Sequence, residues 1–263
     1  TAKVATKTDT GRNDAVKWIG LTALAALSVL ALAAAARADS HETIIVSHAY
    51  SNFGEVKYGP DMPHLDYVNV DAPKGGEMST WSQGNFDSFN PYTRNGVAAF
   101  PIGDTESMLT ATADDPYGSY CYICTTMEYP ESLEWVIFNM RDDVTFSDGT
   151  AATARDAAFT FDFIMAEGLP EFVARVSGYV ESVEVLDDYR IKYTFSPDAP
   201  RREVISFAGG LPMFSQAWLE ETDYKLQESS LTPIMGTGPY IIEDFDVGRQ
   251  INYARNPNWW AAE

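Results

Sequence analysis

Cys121 and Cys124 are the only cysteines of the chain and have two residues between them. Such a pair can ligate zinc, exchange disulfides or close a loop. A zinc ribbon needs a second pair, which the sequence lacks. A thioredoxin-like role needs the pair at a helix start after a strand, whereas Gly118-Ser119-Tyr120 precedes it here. A local disulfide or two buried thiols is the expectation. Asp142, Asp143 and Asp148 raise the paired-carboxylate chemistry of a secreted glycoside hydrolase. That chemistry needs one carboxyl held protonated and another across a sugar, whereas neighbouring turn residues point into water. Ser147, Ser177 and Ser215 lack the glycine pattern of a nucleophile elbow, and no histidine is spaced to serve them as base. His41, His48 and His64 are scattered without ligand spacing, so no metal site is expected. Gly236-Thr237-Gly238-Pro239-Tyr240 has two glycines but no phosphate-loop lysine, and it reads as a tight turn into a strand.

These residues depend on elements that composition and pattern announce. Lys3, Lys7, Arg12 and Lys17 precede an apolar run from Trp18 to Ala36, and Ala36-Arg37-Ala38 closes it with small residues. This reads as an export leader over 1–38, favoured over a membrane helix by its alanine content and its end, so an exported mature chain is expected. The chain has 18 basic and 38 acidic residues; five and two of these fall in 1–38, leaving 13 and 36, a net charge of −23. Such a surface repels nucleic acid and anionic lipid. The 14 Tyr, 14 Phe and six Trp suit either a large aromatic core or an aromatic-lined cleft.

Strands are expected at Thr43–Ser47, Leu65–Val70, 78–84 and Glu134–Met140, and a helix over Asp104–Ala113. Phe146-Ser147-Asp148-Gly149-Thr150 reads as a strand end and tight turn. Thr153 and Asp156 form a capping-box pattern opening a helix over Ala154–Glu167, with Ala158, Phe161, Ile164 and Met165 on one face. Gly168-Leu169-Pro170 stops it. Val180–Leu186 with Arg190–Phe195, and Tyr240–Phe245 with Gln250–Ala254, read as hairpins. Short helices are expected at Arg201–Ala208 and Ser215–Glu221, split by Gly209-Gly210-Leu211-Pro212. The fold class is mixed α/β, or α+β.

Several of these segments, taken in order, resemble one family. They are Phe146-x-Asp148-Gly149-Thr150, Thr153-Ala154-x-Asp156, Phe159-x-Phe161, Gly236–Tyr240 and Tyr253-x-Arg255-Asn256-Pro257-x-Trp259-Trp260. Together they look like the family 5 extracellular solute-binding proteins. Near the start of the mature chain, His48-Ala49-x-Ser51-x-Phe53-Gly54, His64-x-Asp66-Tyr67-Val68-Asn69, Ala72-Pro73-Lys74-Gly75-Gly76 and Phe86-Asp87-Ser88-Phe89-Asn90-Pro91 resemble the YejA-type oligopeptide and microcin C receptors.

The resemblance implies the first lobe of a type II periplasmic-binding-protein fold, with the second lobe absent and the chain a fragment at both ends. Residues 39–95 and 197–263 would form the lobe core, and 96–196 an inserted subdomain. It implies a monomeric, non-enzymatic receptor without cofactor that closes on oligopeptides or peptide-like solutes and delivers them to an ABC permease. A haem, opine or metal-chelate cargo is the alternative within the class, and a secreted glycan or peptide hydrolase the alternative outside it. Backbone-directed peptide capture relies on main-chain hydrogen bonds and roomy pockets. Phe89, Asn90, Tyr92 and Asn95 are the candidate ligand contacts on that logic, alongside the reading that Asn90-Pro91 only shapes a turn. Gly210 and Leu211 are a second candidate, alongside the reading of a plain helix break.

Overall fold

In the computed structural model, residues 42–73, 75–100 and 106–262 are described. The expected leader 1–38, His41, Lys74 and the start of the expected 104–113 helix lie outside them. The described residues from Ile44 onward build one compact unit.

Its centre is a five-stranded antiparallel sheet ordered β1 (Ile44–Ser47), β5 (Cys124–Pro130), β6 (Trp135–Met140), β8 (Arg190–Phe195) and β7 (Val180–Asp187). Val136 faces Tyr193 and Phe138 faces Ile191 across the β6–β8 ladder, and all four are buried. Along β8 buried Ile191, Tyr193 and Phe195 alternate with less buried residues, and a one-residue slip would turn them away from the core, which fixes the register. A three-stranded sheet, β2 (Ala49–Ser51), β4 (Asp115–Cys121) and β3 (Leu109–Thr112), stands apart from the first and meets it where β4 turns into β5. Strands β9 (Tyr240–Asp246) and β10 (Gln250–Arg255) form a separate hairpin.

Helix α1 (Ala154–Glu167) begins where the cap pattern places it: Thr153 donates its N–H and its hydroxyl to Asp156 Oδ2, each at 2.9 Å. Its most buried positions are Ala154, Ala157, Thr160 and Ile164, so the covered stripe is turned slightly from the one expected. Thr160 tolerates burial because its hydroxyl donates to Asp156 O at 2.7 Å and accepts the Phe214 N–H at 2.9 Å. Pro170 ends α1 and opens α2 (Pro170–Tyr179), a helix not foreseen in the sequence; a missing N–H costs nothing at that position. Helices α3 (Val204–Gly209) and α4 (Gln216–Thr222) follow, and Ser215 Oγ accepts the Trp218 N–H at 3.3 Å as the cap of α4.

Three expectations are corrected. The 65–70 segment is a pair of turns, with Val68 N bonded to Leu65 O and Ala72 N to Asn69 O, while Asn69 Oδ1 takes the Asp71 N–H. Here side-chain and turn bonds replace a ladder, and no strand among the described residues pairs with the segment. The 78–84 segment is irregular, with Met78 and Trp81 85% and 84% exposed, so its alternation faces no core. Residues 109–112 are strand β3, paired with β4 from Leu109 opposite Cys121 to Thr112 opposite Asp115. Its threonines suit a pleated surface, and pairing overrides a weak helical composition.

Candidate functional site

The segment after 78–84 is built as a clasp. Ser88 and Asn90 are buried polar residues, and each bonds the main chain of 226–230. Phe89 N donates to Ser230 O at 2.6 Å, and Ser88 Oγ accepts the N–H groups of Asn90 and Ser230 at 3.0 and 3.2 Å. The Asn90 carboxamide donates to Leu226 O at 2.9 Å and Glu228 O at 2.8 Å, and its oxygen accepts the Tyr92 N–H at 2.9 Å. Thr93 and Asn95 both donate to Gln227 O, at 2.7 and 3.0 Å. Gln227 in turn donates to Glu167 O at 2.9 Å, anchoring the clasp on the last turn of α1. Gly96 closes the loop at φ +82°, where a Cβ would lie 2.5 Å from Asp87 Oδ1, so both the backbone and the space require glycine.

On this frame the ring of Phe89 meets Phe245 edge-on at 4.9 Å. Tyr92 stacks on Phe172 of α2 at 6.2 Å and meets Phe214 edge-on at 5.5 Å. Phe89 and Tyr92 are half-buried, Asn95 is exposed and Asn90 is 1% exposed. Arg94 pairs with Glu171 at the start of α2, where the residue's own helix-terminal N–H and then the guanidinium hold that carboxyl below its usual range.

Gly210 and Leu211 lie at the end of α3. Gly210 donates to Ser206 O at 3.0 Å, Leu211 is buried, and Gly209 lets the side chain of Leu109 approach where a Cβ would sit 2.4 Å away. Phe214, three residues past Leu211, is the one that reaches Tyr92, so the two candidate segments share a cluster.

Three sequence motifs far apart in the chain form one knot. Ser147 N donates to Gly236 O at 3.0 Å, and Asn256 donates to Gly238 O at 3.1 Å and, through its N–H, to Pro239 O at 2.8 Å. Thr145 donates to Asn258 O at 3.1 Å, and Trp260 Nε1 donates to Thr237 O at 3.1 Å. Asp148 Oδ1 accepts the N–H and hydroxyl of Thr150 at 2.9 and 2.7 Å around Gly149, whose φ is +88°. These residues carry scaffold and leave no group poised for catalysis.

A groove of about 720 Å³ opens elsewhere, lined among others by His48, Tyr122, Arg141, Asp143, Trp260 and the two cysteines. Cys121 and Cys124 are joined as a disulfide. Arg141 lies over the Trp260 ring at 5.1 Å and grips Asp143 with two bonds of 2.8 and 2.6 Å, which hold that carboxyl below its usual range. Tyr122 meets Trp260 edge-on at 5.2 Å, and burial, with Glu106 nearby, pushes its hydroxyl up to about 12. No sequence signal joined Tyr122 to Trp260, which stand in unrelated segments. Among the described residues no three His, Cys, Asp or Glu side chains are grouped to hold a metal ion. His48 and His64 each place a ring nitrogen against a carbonyl, Tyr58 O at 2.9 Å and Leu65 O at 3.0 Å.

Comparison with known proteins gives this geometry a context. The profile described as bacterial extracellular solute-binding proteins, family 5 middle, matches residues 128–263, just over half of the chain. The peptidoglycan-binding protein YepA of Agrobacterium fabrum is 30% identical over 225 residues, which cover 82% of this chain and 36% of YepA. The probable peptide-binding protein YejA of the same organism is 30% identical over 246 residues, covering 91% of this chain and 40% of that protein. The chain thus spans between 36% and 40% of the length of these curated relatives. The periplasmic oligopeptide-binding protein of Thermotoga maritima superposes with a TM-score of 0.55 at 22% identity, over 67% of this chain and 32% of that one. The mixed α/β architecture therefore matches part of a type II periplasmic-binding-protein structure. The family binds solutes and is not enzymatic. On the matched profile and the YejA-type relatives, the chain belongs to the bacterial extracellular solute-binding proteins of family 5.

Proposed function

We propose that the protein is the periplasmic receptor of an ABC importer, taking oligopeptides or peptide-like solutes and handing them to an inner-membrane permease. The observation that carries this reading is the clasp. Its main chain is held by Ser88 and Asn90, while Phe89, Tyr92 and Asn95 are less buried, and Tyr92 meets Phe214, three residues past Leu211. Peptide receptors need a fixed polar edge with adaptable walls, because the cargo's side chains vary while its backbone does not. Asn90 acts by positioning, and Phe89, Tyr92, Asn95, Gly210 and Leu211 line the ligand. The peptide- and peptidoglycan-binding names of the relatives support the same class of cargo.

In this reading the described unit is the first lobe. The five-stranded sheet joins strand β1 of 39–95 to four strands of 96–196, so these stretches share one core, and 1–38 is the export signal. A second lobe closes over the cargo without covalent chemistry, and the receptor works as a monomer. Mass spectrometry of solutes that co-purify with the natural full-length protein tests the cargo. Peptides or peptide-bearing sugars are expected. An opine, a haem or a metal chelate in their place would overturn the peptide reading, and turnover of a peptide or glycan would overturn the receptor reading.

A further inference from the structure

The disulfide sits in an asymmetric setting. Cys124 is 2% exposed and belongs to the main hydrophobic core, with its Sγ 3.1 Å from Met108 O. Cys121 is partly exposed, and both cysteines stand with Tyr122 on the wall of the 720 Å³ groove, so the difference between them is one of burial. Main-chain bonds brace the turn on both sides: Cys121 N to His48 O at 2.8 Å, Tyr122 N to Met108 O at 2.9 Å, and Arg141 N to Ile123 O at 2.9 Å. Ile123, between the cysteines, is fully buried. The groove shares no lining residue with the clasp or with Gly210–Leu211.

From this arrangement we propose that Cys121–Cys124 is a thiol–disulfide exchange site of fixed polarity, open to a small thiol or dithiol reductant through the groove. Access selects the attacked sulfur, and Cys121 is the less buried of the two cysteines. The incoming thiol gives its proton to water and forms a new S–S bond to Cys121 Sγ as the Cys121–Cys124 bond breaks. The electron pair leaves on Cys124 Sγ, which takes a proton from water. Met108 O then stands where the new S–H can donate to it, an interaction the disulfide cannot make because it has no hydrogen. A dithiol's second sulfur next attacks its own partner in the mixed disulfide. Cys121 is released as a thiol, and the reductant is oxidised by two electrons. The surrounding main-chain bonds survive, so exchange frees one wall of the groove while the sheets stay paired.

The test treats native protein with reduced glutathione, quenches in acid and maps the adduct by peptide mass spectrometry. The expected result is glutathione on Cys121 at least tenfold over Cys124, with near-even labelling after unfolding in urea. Equal labelling in the native protein, an excess on Cys124, or no reaction until denaturant is added would each overturn the proposal. Single variants give a second readout independent of exchange chemistry. In Cys124→Ser the remaining thiol should alkylate at least tenfold faster than the one remaining in Cys121→Ser, and equal rates would overturn the polarity.

Discussion

Asp156 Oδ1 accepts the main-chain N–H of Gln216 at 3.1 Å, so the carboxylate that caps helix α1 also holds the first residue of helix α4. The two residues are 60 positions apart, and the cap alone would have used only one of the two oxygens. One side chain thereby sets the start of one helix and the placement of another.

Asp156→Ala is therefore expected to cost more than a simple cap. A lost cap and a lost charge-assisted bond together amount to about 2–3 kcal/mol. Urea denaturation of the variant beside Thr153→Ala checks this. A loss no larger than that of Thr153→Ala would show that the Gln216 contact contributes nothing.

Asn90→Ala removes both donors to Leu226 and Glu228 at a site with 1% exposure. Two stranded carbonyls and the small void predict a loss of about 2–4 kcal/mol. Asn95→Ala, at the exposed end of the same clasp, should change stability by about 0.5 kcal/mol or less while weakening cargo binding. Thermal melts and titration calorimetry on the full-length protein separate the two roles. Equal stability losses would erase the distinction between frame and contact.

The loop carrying Lys57 and Tyr58 docks through Asp114, which accepts from Lys57 Nζ at 2.5 Å and Tyr58 Oη at 2.6 Å. Those bonds, Lys57 first, lower its pKa from 3.8 to about 2. A carboxylate depressed in the folded state stabilises above its unfolded pKa, and that contribution is lost as pH falls through the folded value. The melting-temperature gap between the protein and Asp114→Asn should be full at pH 5 and fade between about pH 4 and 2. A gap independent of pH would refute this account of the docking.

Removing the Cys121–Cys124 bridge should cost little, because it closes a very short loop. For a ring of this size the chain-entropy relation gives about 2 kcal/mol. The double variant Cys121→Ala/Cys124→Ala should keep its far-ultraviolet spectrum and melt cooperatively at a lower temperature. Failure to fold would mean the bridge, rather than the bonds from Cys121 N, Tyr122 N and Arg141 N, organises the β4–β5 turn.

Gly96→Ala meets both a positive φ and Asp87 Oδ1, and the expected destabilisation is about 1–3 kcal/mol. Gly149→Ala has the same sign of φ but open space around it, so its cost should be smaller, about 1 kcal/mol. Chemical denaturation of the two side by side measures the steric part, and equal losses would remove it.

What the sequence by itself determined was local. The Thr153–Asp156 cap, the Gly168-Leu169-Pro170 stop and the Asp187-Asp188 turn each act within a few residues, and helix α1 and the β7–β8 hairpin stand where those signals put them. Motif order was enough to identify the family, because the knot joining 145–150, 236–239 and 256–260 needs those residue types at those positions. Only the tertiary structure decided which periodicities found a partner. Leu109–Thr112 became a strand because β4 lay beside it, and 78–84 stayed irregular because no strand among the described residues pairs with it. It also decided the split among the candidate ligand residues, between a buried Asn90 and an exposed Asn95, and the meeting of Tyr122 with Trp260 across the groove. Caps and turns carry their hydrogen-bond partners within one turn of chain. Ladders such as β1–β5 and β6–β8 draw theirs from residues tens of positions away, and the clasp and the groove from residues more than a hundred away, and proximity of that kind is not written in spacing.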